Sequence, residues 1–529
     1  MKRVVSPDNS IFILLLAIIF FTSTAVFLNF VVPPFQNPDE PHHFGWIMAE
    51  MEGKETYYQA EQKILKMMDE HYWWRLVGMG QPESLPQRFR EIKFIRGYST
   101  SRYFRQEVSG MKFYHFLLGR FLRFLGIEDY WQAYYICRLF SVFFGLGTII
   151  FVFLFSRLFN FSFSSIFPWG FFFILFLPQF LIHSVCVSSD LPAIFLGAVF
   201  FWGVASFLEN TGKNYLIFAV IIVSAFLGFV TDRSTFTLII LALLIPFFQV
   251  KRRNYQETII DLLIFIVGLL LLVFVFINLF PQVVESNIKM ASSVYQKIPQ
   301  AVSILFSFGE RVITFLSFAA DSFLARFGWA AFGPGLGFYY LWRAIVLGVI
   351  ICLITWHFYW IYNFLSLIIT VYRKRSYLPL KKRIKPALII KILQGKGFHQ
   401  SPASVEKTFF YDKAIKNKIE AFTKRKSKIN YRFLILSIIA VIFQIIIVWS
   451  SLGFRNNLAQ GRHFFPMLFP LAFIFWSGVY YLGNLFGEKI AKTFLGAFVL
   501  VEFLLFNYLV WSKMIPIFHL TIQSPNPGI

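Results

Sequence analysis

Cysteine is nearly absent from this chain. Its three copies, Cys137, Cys186 and Cys352, stand far apart, in or beside apolar runs. That spacing makes no metal or redox motif and suits packing residues. Charge is also scarce, at 15% of residues, where soluble domains carry about a quarter. Acids are the rarer sign, 27 against 50 bases, for a net charge of +23. No small-residue cleavage site follows the first apolar stretch, Ile11 to Val32, which is also longer than the apolar core of a signal peptide; it reads as a retained first helix. Neither an internal repeat nor a pair of matched broken segments of the transporter kind is found.

What fills the chain is apolar. Of its 529 residues, 57% are hydrophobic and 20% aromatic, and the mean hydropathy is +0.62. The apolar residues fall in runs of about 20, the length that crosses a ~30 Å hydrocarbon core. Backbone in lipid must satisfy itself, so these runs predict helices and an all-α polytopic membrane protein. The runs are 11–32, 131–155, 163–186, 191–208, 214–230, 235–250, 258–280, 342–372, 431–451, 464–484 and 490–511, about 11 spans (range 10–13) of roughly bilayer length.

The basic excess sets an expected orientation. Residues 373–428 hold 17 Lys/Arg against 3 acids, a net +14 of the +23. Positive loops stay cytoplasmic. One arrangement places Met1-Lys2-Arg3, Lys251-Arg252-Arg253, the basic loop 373–430 and Lys489/Lys492 together inside. The loop then reads as a topogenic anchor touching anionic headgroups. It lacks the interleaved aromatics or known module of a nucleic-acid binder, so nucleic acid is not an expected partner.

That topology puts the polar residues on the other, extracytoplasmic side. A large first loop, 33–130, begins Pro33-Pro34-Phe35-Gln36-Asn37-Pro38-Asp39-Glu40-Pro41-His42-His43-Phe44 and ends with Lys112 and His115. Its aromatic and basic content suits helices lying on the membrane surface. Ser188-Ser189-Asp190 and Thr231-Asp232-Arg233 end spans on that face. A second large loop, 281–341, carries Glu310-Arg311, Asp321 and Arg326-Phe327-Gly328-Trp329, and Arg455, Arg462 and His463 lie between two late spans. Charges at membrane depth are costly and mark function.

Asp39, held by flanking prolines, is placed to take a proton from an acceptor hydroxyl. Arg462 and Arg455, with Arg233, suit a phosphate clamp. Together they describe a group transfer in which a phosphate leaves with its charge stabilised. Asp39 and Glu40 also fit the first turn of a helix, with Pro41 just inside it, and that structural role competes most strongly for Glu40. His42 and His43, being adjacent, do not share a helix face; substrate contact or a satisfied core role suits them better than metal ligation. Asp190 and Asp232 could each cap a span end or pair with a neighbour, Asp232 with Arg233.

Asn37-Pro38-Asp39-Glu40-Pro41-His42-His43-Phe44 and Gln460-Gly461-Arg462-His463-Phe464-Phe465-Pro466, with Ser188-Ser189-Asp190 and Phe327-Gly328-Trp329, resemble the signatures of a bacterial membrane family of unknown function within the GT-C superfamily. That superfamily includes the protein O-mannosyltransferases and the lipid A aminoarabinose transferase. The resemblance runs from about 30 to 510. It implies one GT-C-like membrane domain over 1–529, in the bacterial cytoplasmic membrane, and a sugar moved from a polyprenyl phosphate to a glycan, lipid or protein acceptor on the outer face. Asp39, with Glu40, would be catalytic. Arg462 would contact the donor phosphate, and His42, His43, Arg233, Arg455, His463, Asp190 and Lys112 would line the substrate site. The expected reaction inverts the sugar and takes no cofactor, with a divalent metal the disfavoured alternative. Ser109 to His115 stand where the family has a Pro-Pro-Leu-Tyr-Tyr-like stretch, and His463 stands where Tyr is common. A flippase or a polymerase of lipid-linked glycans would use the same cations; the clean interiors of most spans, Arg138 excepted, favour a one-sided enzyme.

Overall fold

The computed structural model describes residues 7–35, 39–53, 63–64, 66–67, 112–158, 173–209, 215–249, 255–306, 310–324, 333–376, 431–451 and 461–516. Among these residues the ordered elements are all helices, with no strand. They are α1 (Pro7–Val31), α2 (Glu40–Glu52), α3 (Phe113–Phe124), α4 (Tyr130–Leu158), α5 (Pro178–His183), α6 (Asp190–Glu209), α7 (Tyr215–Thr231) and α8 (Phe236–Leu244). Then follow α9 (Tyr255–Leu279), α10 (Pro281–Phe306), α11 (Glu310–Leu324), α12 (Leu336–Ser376), α13 (Tyr431–Ser451), α14 (Leu468–Phe486) and α15 (Glu488–Leu509).

Among the described residues, 8 helices are long and apolar enough to cross a membrane: α1, α4, α6, α9, α12, α13, α14 with the 3-10 turn Gly461–Met467 before it, and α15. The chain is thus a polytopic helical membrane protein. Three expected spans take other forms. The described part of 163–186 is broken by a turn at Phe176, and α5 starts afresh at Pro178, a residue with no N–H to continue a helix. The run 214–230 is the 17-residue α7. The run 235–250 is the 9-residue α8, bounded by 3-10 turns at Arg233–Thr235 and Ile245–Gln249, the second containing Pro246. Within the expected loop 281–341, α10 and α11 are regular helices. Arg343 on α12 forks onto Asp321 of α11 at 2.8 and 2.5 Å and ties that region to a span.

α6 lies at the centre of the bundle. α4 and α7 flank it, and the 3-10 turn Gly461–Met467 crosses it closely. Apolar burial does not drive association inside lipid, so small residues that let backbones approach do more there. Gly197 on α6 is one: a Cβ at this position would lie 2.4 Å from the Pro466 carbonyl oxygen. This approach carries Arg462 to the end of α6 where Asp190 sits.

α2 and α3 run side by side in the same direction beside the mouth of the bundle, His43 meeting His115 near their starts and Met51 meeting Arg123 near their ends. Phe35, Phe44, Ile47, Met48, Tyr114, Leu118 and Leu122 bury one another there, together with Tyr130 and Tyr134 of α4. Each such aliphatic or aromatic side chain contributes about 1.5–3 kcal/mol on full burial from water. Gly53 closes α2 in a left-handed conformation, its N–H reaching the Ala49 and Glu50 carbonyls, as helix ends commonly do.

Glu40 fastens this pair to the spans. It is fully buried, and its Oε1 accepts the Tyr134 hydroxyl at 2.7 Å and the Val187 N–H at 2.8 Å. Arg138 approaches the same oxygen at 3.6 Å, donates to the Tyr134 hydroxyl at 3.0 Å, and caps the Val32 and Pro33 carbonyls at 2.8 and 3.0 Å. The Phe35 N–H donates to the same hydroxyl at 3.0 Å. The prolines that end α1 free those carbonyls, and Arg138 satisfies them. Arg138, an exception to the clean span interiors, is therefore a fastener at the end of α1. A second exception, unmarked in the sequence reading, is Glu502 of α15, which is buried within a span.

Candidate functional site

Asp39 stands at the N-cap of α2 with φ 65° and ψ 0°. This left-handed conformation is rare outside glycine, though Asp tolerates it better than most. Phe35 has a similar φ of 63°. Such outliers persist where the surrounding structure holds them and gather at functional sites. The side chain is not spent on capping α2. Its Oδ2 accepts Arg462 Nη2 at 2.5 Å, across 423 residues of sequence. Nearly half of the Asp39 side chain, 48%, remains exposed, while Arg462 is 5% exposed. The carboxylate is therefore the accessible half of the pair.

Arg462 reaches a second acid. Its Nη1 lies 3.3 Å from Asp190 Oδ2. Asp190 begins α6, where its N–H takes the Ser188 hydroxyl at 3.0 Å as acceptor. Next to it, Ser189 belongs to another buried group. Lys112 Nζ donates to Asp232 Oδ2 at 2.6 Å and to Ser189 Oγ at 2.9 Å, and Ser189 Oγ donates to the same Asp232 oxygen at 2.8 Å. Asp232 Oδ1 accepts the Ser234 N–H at 2.9 Å, capping the 3-10 turn. Lys112 thus takes the place expected of Arg233 as the contact partner of Asp232, though Arg233 stays within electrostatic reach of that acid.

The two groups meet at His43. Its Nδ1 lies 2.9 Å from Nε2 of buried His115 on α3. His115 Nδ1 in turn receives the backbone N–H of Lys112 at 3.1 Å. The surroundings of His43 include charges on both sides, Lys112 and Asp232 as well as Asp39 and Arg462.

Electrostatics follow from this enclosure. Burial pushes the Asp39 carboxyl up, but the Arg462 guanidinium, then His43 and His42, outweigh it and hold it well below the usual carboxylate range. Burial likewise opposes Asp232, and Lys112 with the Ser234 N–H prevails there. The histidines go the other way. Burial lowers His42 to about 4 against the pull of Asp39, and lowers His43 to about 3, with Lys112 adding to the effect. Burial also holds His115 well below its ordinary value.

Of the expected site residues, Asp39, His42, His43, Lys112, Asp190, Arg233, Arg462 and His463 converge around this mouth. His42 is half-buried and within electrostatic reach of Asp39. His463 is placed through its backbone: Gln444 Nε2 donates to its carbonyl at 2.6 Å, and Gln444 Oε1 accepts the Thr237 hydroxyl at 2.5 Å. Glu40 faces the other way, into the fastener of α1 and α4. Arg455 lies outside the described residues. Among the described residues no three His, Cys, Asp or Glu side chains converge as a metal site would require. Sequence reasoning did not place Ser189 or His115 in the site. For His115 a signal existed: a polar residue three positions after a helix N-cap commonly reaches back to the cap.

Comparison of the chain with protein-family models, with curated proteins and with solved structures finds no match.

Proposed function

We propose that this protein is a membrane glycosyltransferase of GT-C type, moving a sugar from a polyprenyl-phosphate donor to a cell-envelope acceptor on the extracytoplasmic face of the bacterial cytoplasmic membrane. The observation that carries the reading is the 2.5 Å pair between half-exposed Asp39 and buried Arg462. A proton acceptor and a phosphate-binding cation, far apart in the chain, share one place at the membrane-side mouth of the bundle.

In the proposed step an acceptor hydroxyl attacks the anomeric carbon opposite the phosphate. Its oxygen forms the new glycosidic bond, its proton passes to the Asp39 carboxylate, and the bond from the anomeric carbon to the phosphate oxygen breaks. Arg462 receives the charge that builds on the leaving phosphate, and the anomeric centre inverts. Before the donor arrives, Arg462 weakens Asp39 as a base. The donor's phosphodiester, which carries a single negative charge, competes for the guanidinium as it binds, and the carboxylate then recovers the basicity the transfer needs; the second charge appears on the phosphate only as it leaves. Asp190 keeps Arg462 aimed while it changes partner.

The test is transfer by the purified protein supplied with polyprenyl-phosphate sugars and membrane lipids. Asp39→Asn keeps the shape and removes the base; the expected fall is roughly 100-fold or more. Arg462→Ala is expected to weaken donor binding. Full transfer by the Asn variant, or unchanged donor affinity in the Ala variant, would remove that residue from its role.

A further inference from the structure

The histidine pair beside Asp39 has its protons assigned by one backbone group. The Lys112 N–H can only donate, so His115 Nδ1, 3.1 Å away, is an acceptor and bears no proton. The proton of neutral His115 therefore sits on Nε2. That nitrogen faces His43 Nδ1 at 2.9 Å and donates to it. His43 is then unprotonated at Nδ1 and carries its own proton on Nε2. Both rings are buried, His43 at 6% exposure and His115 at 0%, and a charged pair of imidazoles at this distance would repel. Among the described residues this is the one side-chain hydrogen bond of His43, which leaves the Nε2–H edge to serve another partner.

We propose that His115 is a positioning residue that fixes His43 as a neutral Nε2–H donor to an acceptor oxygen of the substrate bound beside Asp39. His43 in this role is neither a base nor a metal ligand, since both actions need a free lone pair at Nε2. The identity of the oxygen, on a phosphate or a sugar hydroxyl, rests on the glycosyltransferase reading; the proton assignment does not.

The experiment uses the full chain, labelled with nitrogen-15 histidine and reconstituted in lipid nanodiscs, with the His43 signals identified by their loss in His43→Asn. The charged groups around His43 are Lys112, Asp39, Asp232 and Arg462, with neutral His115 in contact. The expected wild-type spectrum is the neutral Nε2–H form of His43, unchanged from pH 7 to pH 5. His115→Gln should preserve it, because an amide accepts the Lys112 N–H through oxygen and donates N–H to His43. His115→Glu offers acceptors only, and should drive His43 to the Nδ1–H form or to imidazolium. In transfer assays with a polyprenyl-phosphate sugar, the Gln variant should stay within about threefold of wild type, while the Glu variant should fall roughly 100-fold or more, in the range expected for a lost preorganised donor, and acquire a new inflection in its pH profile. A wild-type His43 found protonated at Nδ1, or a spectrum unmoved by His115→Glu, overturns the proposal. So does an equal loss of transfer in the Gln and Glu variants. If the Glu variant does not fold, the wild-type and Gln spectra still decide. The expected spectra without transfer by the wild type would defeat the glycosyltransferase reading and leave the positioning role of His115 standing.

Discussion

At Asp39 the backbone holds a left-handed turn that costs an L-residue roughly 1–2 kcal/mol, and the side chain makes no cap in return. The turn aims the carboxylate at Arg462 instead of at α2. Around it the histidines stay neutral, and this has a consequence for acid stability. In an opened chain a histidine takes its proton near 6.5; folded His42 and His43 decline it until about 4 and about 3. Between these values the open state binds more protons, so the stability that neutral burial contributes is present at pH 7 and lost as pH falls. The melting temperature of the detergent-solubilised protein should therefore be lower at pH 5 than at pH 7, with a smaller drop in His43→Asn. A wild-type melting point that rises or holds on acidification would contradict the buried neutral pair. Asp39 and Arg462 were legible in the sequence because a carboxylate and a guanidinium beside apolar spans have few bland explanations. Lys112 was named too, but not its pairing with Asp232, because the adjacent Arg233 offered that acid a partner in the sequence and only the fold brings Lys112 across 120 residues to it.

Among the elements, α2 depends on Glu40 for its attachment. That carboxylate is held by Tyr134, the Val187 N–H and Arg138, in a place where its exposure is 0%. Removing one member of a buried charged pair leaves the other uncompensated, at a cost of about 3–5 kcal/mol. Glu40→Ala should lower the melting temperature by several degrees and reduce the amount of folded protein, and Tyr134→Phe, which strands the buried Phe35 N–H and takes one bond each from Arg138 and Glu40, should cost about 1–3 kcal/mol. A Glu40→Ala protein as stable as wild type would show that the fastener contributes nothing. The sequence placed Asp39 and Glu40 in one helix start and marked Glu40 as the more structural of the two, but could not show what either would touch. Adjacent residues on a helix point about 100° apart, and what lies in each direction is set by α4, α6 and the late 3-10 turn. The same limit applies to the spans. Long uninterrupted runs such as α4 and α6 were legible from hydropathy, whereas the breaks at Pro178 and Pro246 divide apolar stretches without lowering their hydropathy enough to show.

For the whole molecule, the polar clusters around Asp39 gather at one mouth, and the basic loop 373–430, described only at its first four residues, is expected from the charge pattern on the opposite side. With Cys137, Cys186 and Cys352 replaced by alanine, Gln400→Cys in intact cells should resist a membrane-impermeant thiol reagent and react after permeabilisation. Labelling in intact cells would invert the orientation and put the mouth inside. The fastener at the end of α1 also bears on how such a chain is made. α4 brings Arg138 into the bundle about two turns from its start, and a lone guanidinium is costly at that depth. By the time α4 leaves the ribosome, Glu40 and the free carbonyls of Val32 and Pro33 have already been synthesised. The acceptors thus precede the donor, and Arg138 can be received on entry. A chain permuted to deliver α4 before α1 would have the same final contacts and a harder insertion.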